Sequence, residues 1–142
     1  RWFDAKGYAP LFPFGHGLSY SNFEYGNLMI KPQKDGTVHI NFTIRNKSNV
    51  DGATVAQVYV SGSSKAPSYA QQAVRSLREF QRVELKAREA VRIDMTLDAR
   101  SFQYWDEQTH AWTFAGGART ISVGESSRDL RLNGTVTPVA SK

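Results

Sequence analysis

The chain has 142 residues, a net charge of +5 and no cysteine, with 40% hydrophobic and 22% charged residues. That length suits one domain with a proper core, since such a fold removes about two-thirds of its unfolded surface from water. Disulfides and thiolate chemistry are excluded, no apolar run approaches the roughly 20 residues of a bilayer-spanning helix, and the basic residues (Lys31, Lys34, Arg45, Lys47, Arg75, Arg78, Arg82, Lys86, Arg88, Arg92) are too dispersed to form a nucleic-acid stripe.

The chain opens on an irregular segment. Arg1-Trp2-Phe3-Asp4 is followed by no apolar stretch and does not read as a signal peptide. Residues 1–25 hold eight of the chain's 17 aromatics, mixed with Gly7, Pro10, Pro13, Gly15 and Gly17, which disfavour helix and central strand. So much aromatic surface must lie against something. The expectation is an extended strap over residues 1–22, joining a domain at 23–142 to another domain that precedes it.

A first strand is expected at about Phe23 to Ile30, at a sheet edge. Val38, Ile40, Phe42 and Ile44 alternate with His39, Asn41, Thr43 and Arg45, the period of a strand with one buried face. Lys47 to Gly52 supplies turn chemistry. Ala53 to Val60 is a nearly continuous apolar β run, and residues 62–76 form a loop with no recognisable pattern. Val91, Ile93, Met95 and Leu97 again alternate with polar residues. Thr113-Phe114, Thr120 to Val123 and Leu130 to Val136 complete the series. Short strands at close spacing, with no 3.6-residue period, predict an all-β antiparallel sandwich. Trp105 is expected in its core, with Asp106 accepting backbone hydrogen bonds in a tight turn.

Little in these residues points to catalysis. Hydrolysis by a pair of carboxyl groups needs the two held about 5 to 10 Å apart in a cleft. Asp51, Asp98, Asp106, Glu107 and Asp129 instead sit in turns or beside bases. His16, His39 and His110 are isolated and have no metal-ligand spacing. His39 belongs on the outer face of its strand, and His16, between two glycines, reads as a backbone hydrogen-bonding group. Ser63-Ser64 and Ser126-Ser127 read as turn residues. Asn41, Asn46 and Asn133 each begin a glycosylation triplet, a pattern too frequent by chance to carry an assignment. No cofactor is implied.

The most specific signal is Tyr8-Ala9-Pro10-Leu11-Phe12-Pro13-Phe14-Gly15-His16-Gly17-Leu18-Ser19-Tyr20. It resembles the PLFPFGxGLSY segment of family 3 glycoside hydrolases, the β-glucosidases and β-xylosidases. Further matches follow in the same order. Phe23-Glu24-Tyr25 fits the first strand, residues 46–60 resemble the N-x-G…Q-x-Y-V stretch, and residues 77–85 resemble L-K-G-F-x-R-V-x-L. Trp105-Asp106 and residues 123–129 match the W-D and V-G-x-S-S-x-D elements. Departures at Glu79, at Lys86 to Glu89 (where a Pro-Gly hairpin turn is common) and at Ala118-Arg119 read as surface or turn changes.

The resemblance implies an immunoglobulin/fibronectin III-like sandwich at the C-terminus of a periplasmic or extracellular hydrolase acting on β-linked oligosaccharides or glycosides. Its catalytic acids would lie in domains upstream of residue 1. Within the strap, Phe12, Pro13, Phe14, His16, Leu18 and Tyr20 would pack between domains, and the sandwich would buttress the catalytic domains. Two alternatives remain open. Exposed aromatics such as Tyr69, Tyr104 or Trp112 would stack on sugars or lignin, or the 62–76 loop, with Tyr69 and Arg75, would reach a neighbouring active site. Neither nucleic acid nor a membrane is expected as a partner.

Overall fold

The computed structural model describes residues 22–140, so the lead-in residues Phe12, Pro13, Phe14, His16, Leu18 and Tyr20 lie outside it. The described elements are β1 (Phe23–Pro32), β2 (Val38–Asn46), β3 (Gly52–Ser61), β4 (Arg75–Leu85), β5 (Ala90–Leu97), a 3₁₀ turn (Ala99–Phe102), β6 (Gln103–Asp106), β7 (Ala111–Phe114), β8 (Arg119–Gly124) and β9 (Leu130–Val136). One sheet has the order β1-β2-β5 and the other β4-β3-β8-β9, with β6-β7 forming a separate hairpin. All pairings are antiparallel. The expected all-β sandwich is present, with β1 at a sheet edge.

Period-2 patterning produces the core directly. Val38, Ile40, Phe42 and Ile44 of β2 are at most 1% exposed, and Ile93, Met95 and Leu97 of β5 face the same interior. Ala56, Val58, Val60, Ile121 and Val123 meet them from the second sheet, with Phe23 and Phe102 also fully buried. Burying each large side chain contributes about 1.5–3 kcal/mol. The unbroken apolar character of β3 has its own cause. Its outward-facing Gln57 and Tyr59 are buried as well, with the Tyr59 hydroxyl donating to the Gln57 side-chain Oε1 and Gln57 Nε2 donating to the Glu125 backbone carbonyl at 2.9 Å.

At one edge the two sheets close on each other. Gly134 of β9 crosses β1 so closely that a Cβ there would lie 2.5 Å from Ile30 Cδ1. Nearby, Arg131 holds Asp129 with a two-pronged contact (2.7 and 3.0 Å) and donates to the Phe23 carbonyl at 2.6 Å. The motif at residues 123–129 is the β8–β9 connection. Ser126 Oγ accepts the Asp129 N–H at 3.1 Å, and the Glu125 N–H reaches the Asp129 carbonyl at 3.1 Å. A Cβ on Gly124 would sit 2.0 Å from that carbonyl, which explains the glycine.

Lys86 to Glu89 does not form a hairpin. β4 and β5 belong to different sheets, so this connection arches between them. It is also tight. The Glu89 N–H meets the Lys86 carbonyl at 3.0 Å, Glu89 Oε2 accepts the Lys86 N–H at 2.7 Å, and Arg88 takes a positive φ of 66°. The side chain of Asn46, fully buried, fastens this end of the sandwich. Its Nδ2 donates to the carbonyls of Val50 (2.9 Å), Leu85 (3.3 Å) and Lys86 (3.2 Å), and its Oδ1 accepts from Ser48 N and Oγ. One amide thus joins β2, the turn after it and the β4–β5 arch, and its burial closes the Asn46 triplet to glycosylation.

Two predictions follow from this packing. Asn46→Ala leaves the Leu85 and Lys86 carbonyls short of a donor, while Ser48 Oγ still reaches that of Val50, and is expected to cost about 3 kcal/mol in urea unfolding; a loss below about 0.5 kcal/mol would show that water replaces the amide. Tyr25 is buried, and burial, helped by the negative charge of Glu125, pushes its hydroxyl up to about 12 against the pull of its hydrogen bond to Thr54. The unfolded chain therefore loses this proton near pH 10 while the folded chain keeps it, so stability is full below pH 10 and falls as pH climbs to about 12. Replacing Tyr25 by Phe should remove about 2 kcal/mol of that alkaline loss, read from urea midpoints at pH 9 and pH 12; identical pH slopes for the two chains would rule the account out.

Candidate functional site

The end of the sandwich opposite Asn46 carries the irregular structure. The connection between β3 and β4 spans residues 62–74, so Arg75 and Ser76, expected in the loop, belong to β4. It is an ordered connection. Gln72 closes its base, accepting from Ser63 N at 2.9 Å and donating back to Ser63 O at 3.1 Å. Ser63 Oγ donates to the Gly116 carbonyl at 2.6 Å and accepts the Lys65 N–H at 3.0 Å. Tyr69, 44% exposed, reaches from this connection to Asp106 on the hairpin at 3.3 Å. Arg75 pairs with Ser61, and its Nε is buried with no hydrogen-bond partner.

The β6–β7 hairpin carries the exposed aromatics. Trp105 does not pack in the core; it is 46% exposed and lies directly across from Trp112, 44% exposed, with the rings edge-to-face at 5.7 Å. Strand alternation explains the correction. Phe102 takes the core position, and counting by twos from it puts Asp106 on the inner side and Trp105 on the outer. Asp106 is buried and accepts the Gln108 N–H at 2.9 Å, the turn role expected of it. Arg100, the second residue of the 3₁₀ turn, places its guanidinium 4.1 Å from the Trp112 ring centre, a cation–π contact.

Arg119 is the residue that sequence reasoning missed. Read as a surface change, it is 4% exposed, and it donates to the carbonyls of Ser61 (3.3 Å), Phe102 (3.1 Å) and Ala115 (2.6 Å). Burial, with the nearby positive charge of Arg78, pushes its pKa below the usual arginine range. A cleft of 210 Å³ opens above it, between the 62–74 connection and the hairpin. Gln71, Arg78, Gln103, Trp105, Trp112 and Arg119 supply its distinctive chemistry, and no carboxylate among the described residues lines it.

The carboxylates have other tasks. Asp51 accepts the Ala87 N–H at 2.9 Å, Asp98 caps the 3₁₀ turn through Ser101 at 3.0 Å, and Glu125 and Asp129 both pair with Arg131. Glu107 is exposed on the hairpin turn. His39 lies on the exposed face of β2, and His110 turns the hairpin with a positive φ of 51°. Among the described residues no three His, Asp or Glu side chains gather as metal ligands. Ser63 and Ser126 serve their own turns.

Comparison with known proteins agrees with this architecture. The chain is 41% identical, over 95% of its length, to the probable β-glucosidase D of Aspergillus flavus, of which it spans 20%. It is 34% identical over 96% of its length to thermostable β-glucosidase B of Acetivibrio thermocellus, spanning 18% of that protein. The structure superposes on DesR, a β-glucosidase from Streptomyces venezuelae solved with D-glucose, with a TM-score of 0.90 and 36% identity, covering 96% of this chain and 17% of DesR. The chain therefore spans about a fifth of the length of the relatives it matches. The profile of the fibronectin type III-like domain matches residues 54–127, more than half of the chain, and with the two-sheet topology it makes this chain a member of the fibronectin type III-like domain family.

Proposed function

We propose that this chain is the non-catalytic C-terminal domain of an exo-acting β-glucosidase of glycoside hydrolase family 3, which removes terminal β-D-glycosyl residues, and that it stabilises the catalytic domains preceding it. The observation that carries this reading is the partial match: nearly all of the chain aligns with about a fifth of proteins named β-glucosidases, while its described carboxylates serve turns and ion pairs. Those names favour a glucoside over a xyloside as substrate. In this reading the lead-in residues Phe12, Pro13, Phe14, His16, Leu18 and Tyr20 pack between the domains, and the parent enzyme works outside the cytoplasm, in the periplasm or beyond the cell.

Apolar surface on the edge strand supports a docked position. Phe80 of β4 is 63% exposed and Val74, just before the strand, is 53% exposed. A preceding domain of the same polypeptide would cover them. The exposed pair Trp105 and Trp112 favours a second reading, in which the domain also binds a ligand of its own.

Assays with nitrophenyl β-glucoside and β-xyloside would test the main reading. Activity is expected only when the preceding domains are present, and hydrolysis by this chain alone would overturn it. In the full-length enzyme, Phe80→Asp should lower the melting temperature by several degrees while leaving the unfolding of this chain by itself unchanged. An equal effect on both would assign Phe80 to the domain's own stability instead of docking.

A further inference from the structure

The two sheets differ in what their outer faces meet. On β1-β2-β5 the outer row is that of a sheet in water: His39, Arg45, Arg92, Asp94 and Thr96 are exposed. On β4-β3-β8-β9 the centre of the outer face is buried. Ala56, Val58 and Val60 of β3 and Ile121 and Val123 of β8 fill the core, so the alternate residues Gln57, Tyr59 and Ser122 point away from it. Yet these three are only 5%, 3% and 6% exposed. Tyr59 and Ser122 are directly paired, so the buried residues form one patch.

Neighbours within the sheet do not account for this. Side chains project from a sheet side by side, and a tyrosine standing on an open face keeps the tip of its ring in water. Among the described elements β3 packs laterally against β4 and β8, and none lies across its outer face. The 62–74 connection turns to the hairpin end instead, through Ser63 to Gly116 and Tyr69 to Asp106. The patch is also chemically ready for a dry cover. The Tyr59 hydroxyl donates to Gln57 Oε1, Gln57 Nε2 to the Glu125 carbonyl at 2.9 Å, and Ser122 Oγ to Asn133 Oδ1 at 2.8 Å. These polar groups find their partners inside the domain and do not need water.

The cover is narrow. Val55 and Phe80 lie on the same face, Phe80 directly beside Gln57, and they remain 37% and 63% exposed. A docked domain or a second copy would bury the whole face, whereas one segment of chain buries a strip. Residues 1–21 are in position to supply it. β1 starts beside this sheet, where Arg131 of β9 donates to the Phe23 carbonyl at 2.6 Å. From there the outer face of β3 lies about 10 Å around the sandwich edge and about 10 Å across two strand spacings. Roughly six to eight extended residues cover that path. Phe12, Pro13, Phe14 and Tyr20 provide flat apolar groups suited to lying along a sheet.

We propose that residues 12–20 cross the outer face of the β4-β3-β8-β9 sheet and seat on Gln57, Tyr59 and Ser122. The lead-in is then the middle layer between this sheet and the preceding domain, and Val55 and Phe80 stand at its margin for that domain to cover. The β1-β2-β5 face stays in water. This deepens the scaffolding reading by naming the sheet that faces the catalytic domains. The seat itself is tested on this chain, so its failure leaves that reading to the assays on the full-length enzyme.

The chain has no cysteine, so Ser19→Cys accepts a single nitroxide spin label. In heteronuclear NMR spectra of the labelled 142-residue chain, the amide signals of Gln57, Tyr59 and Ser122 should lose at least half their intensity relative to the reduced label. Those of Asn41, Arg92 and Asp94, on the other outer face, should keep theirs. Adding Ser122→Arg places a charged side chain in the seat without touching the core rows, and should return most of the intensity lost at Gln57 and Tyr59. Unmoved Phe42 and Ile93 signals would show that this variant keeps its core, and the labelled parent alone decides the matter if they move. Loss on the β1-β2-β5 face or at the hairpin indoles would put the segment elsewhere and overturn the seat, as would full intensity throughout. Loss that survives Ser122→Arg in a folded chain would rule out contact at this patch. Loss that fades on about tenfold dilution would make the occupant a second copy, against the proposal.

Discussion

The irregular end of this domain is organised by one guanidinium. Arg119 holds the end of β3, the 3₁₀ turn and the segment before β8 by their carbonyl oxygens, at the margins where the β3–β8 and β6–β7 pairings run out. Backbone carbonyls at strand ends must find donors, and an arginine supplies several from one rigid plane. The hairpin grows from the 3₁₀ turn that it anchors, and the 62–74 connection leaves from the strand end that it anchors. Removing this side chain would free all three carbonyls at once. The cleft exists because its floor is fixed.

The opposite end uses the same logic with a neutral group. Asn46 also collects carbonyls from a strand end and from connections beyond the sheets, but its amide carries no charge to compensate. The contrast is informative. Where the domain needs only a fastener, a neutral amide suffices, and burial costs little once its bonds are made. An arginine in the equivalent position pays a larger desolvation penalty.

Legibility in the sequence followed the strength of the alternation. β2 and β5 were visible because every second residue is apolar and one face is buried along the whole strand. β4 was not recognised as a strand. It is an edge strand with a bulge opposite Val58 and Tyr59, and polar Glu79 and Gln81 interrupt its inner row, so no period survives. β6 is only four residues long, too short for a pattern, which is how Trp105 came to be placed in the core. Arg119 gave no signal at all, since an arginine at a strand start usually lies at the surface. The turn roles of Asp106 and of residues 46–51 were legible because Asn, Asp and Gly bond or bend locally, without help from distant residues.

These failures share a cause that bears on function. Residues read correctly owe their positions to local pattern, while those misread owe theirs to contacts between distant segments: Arg119 with Ser61 and Phe102, and Trp105 with Trp112 across the hairpin. A sandwich whose core is set by alternation can change such contacts without losing its fold, because the buried apolar rows do not depend on them. The cleft end is therefore where members of one domain family can differ in what they touch. Here the rows of β2, β5 and β8 hold the frame, and the side chains at Arg78, Trp105, Trp112 and Arg119 are left to determine what the frame presents.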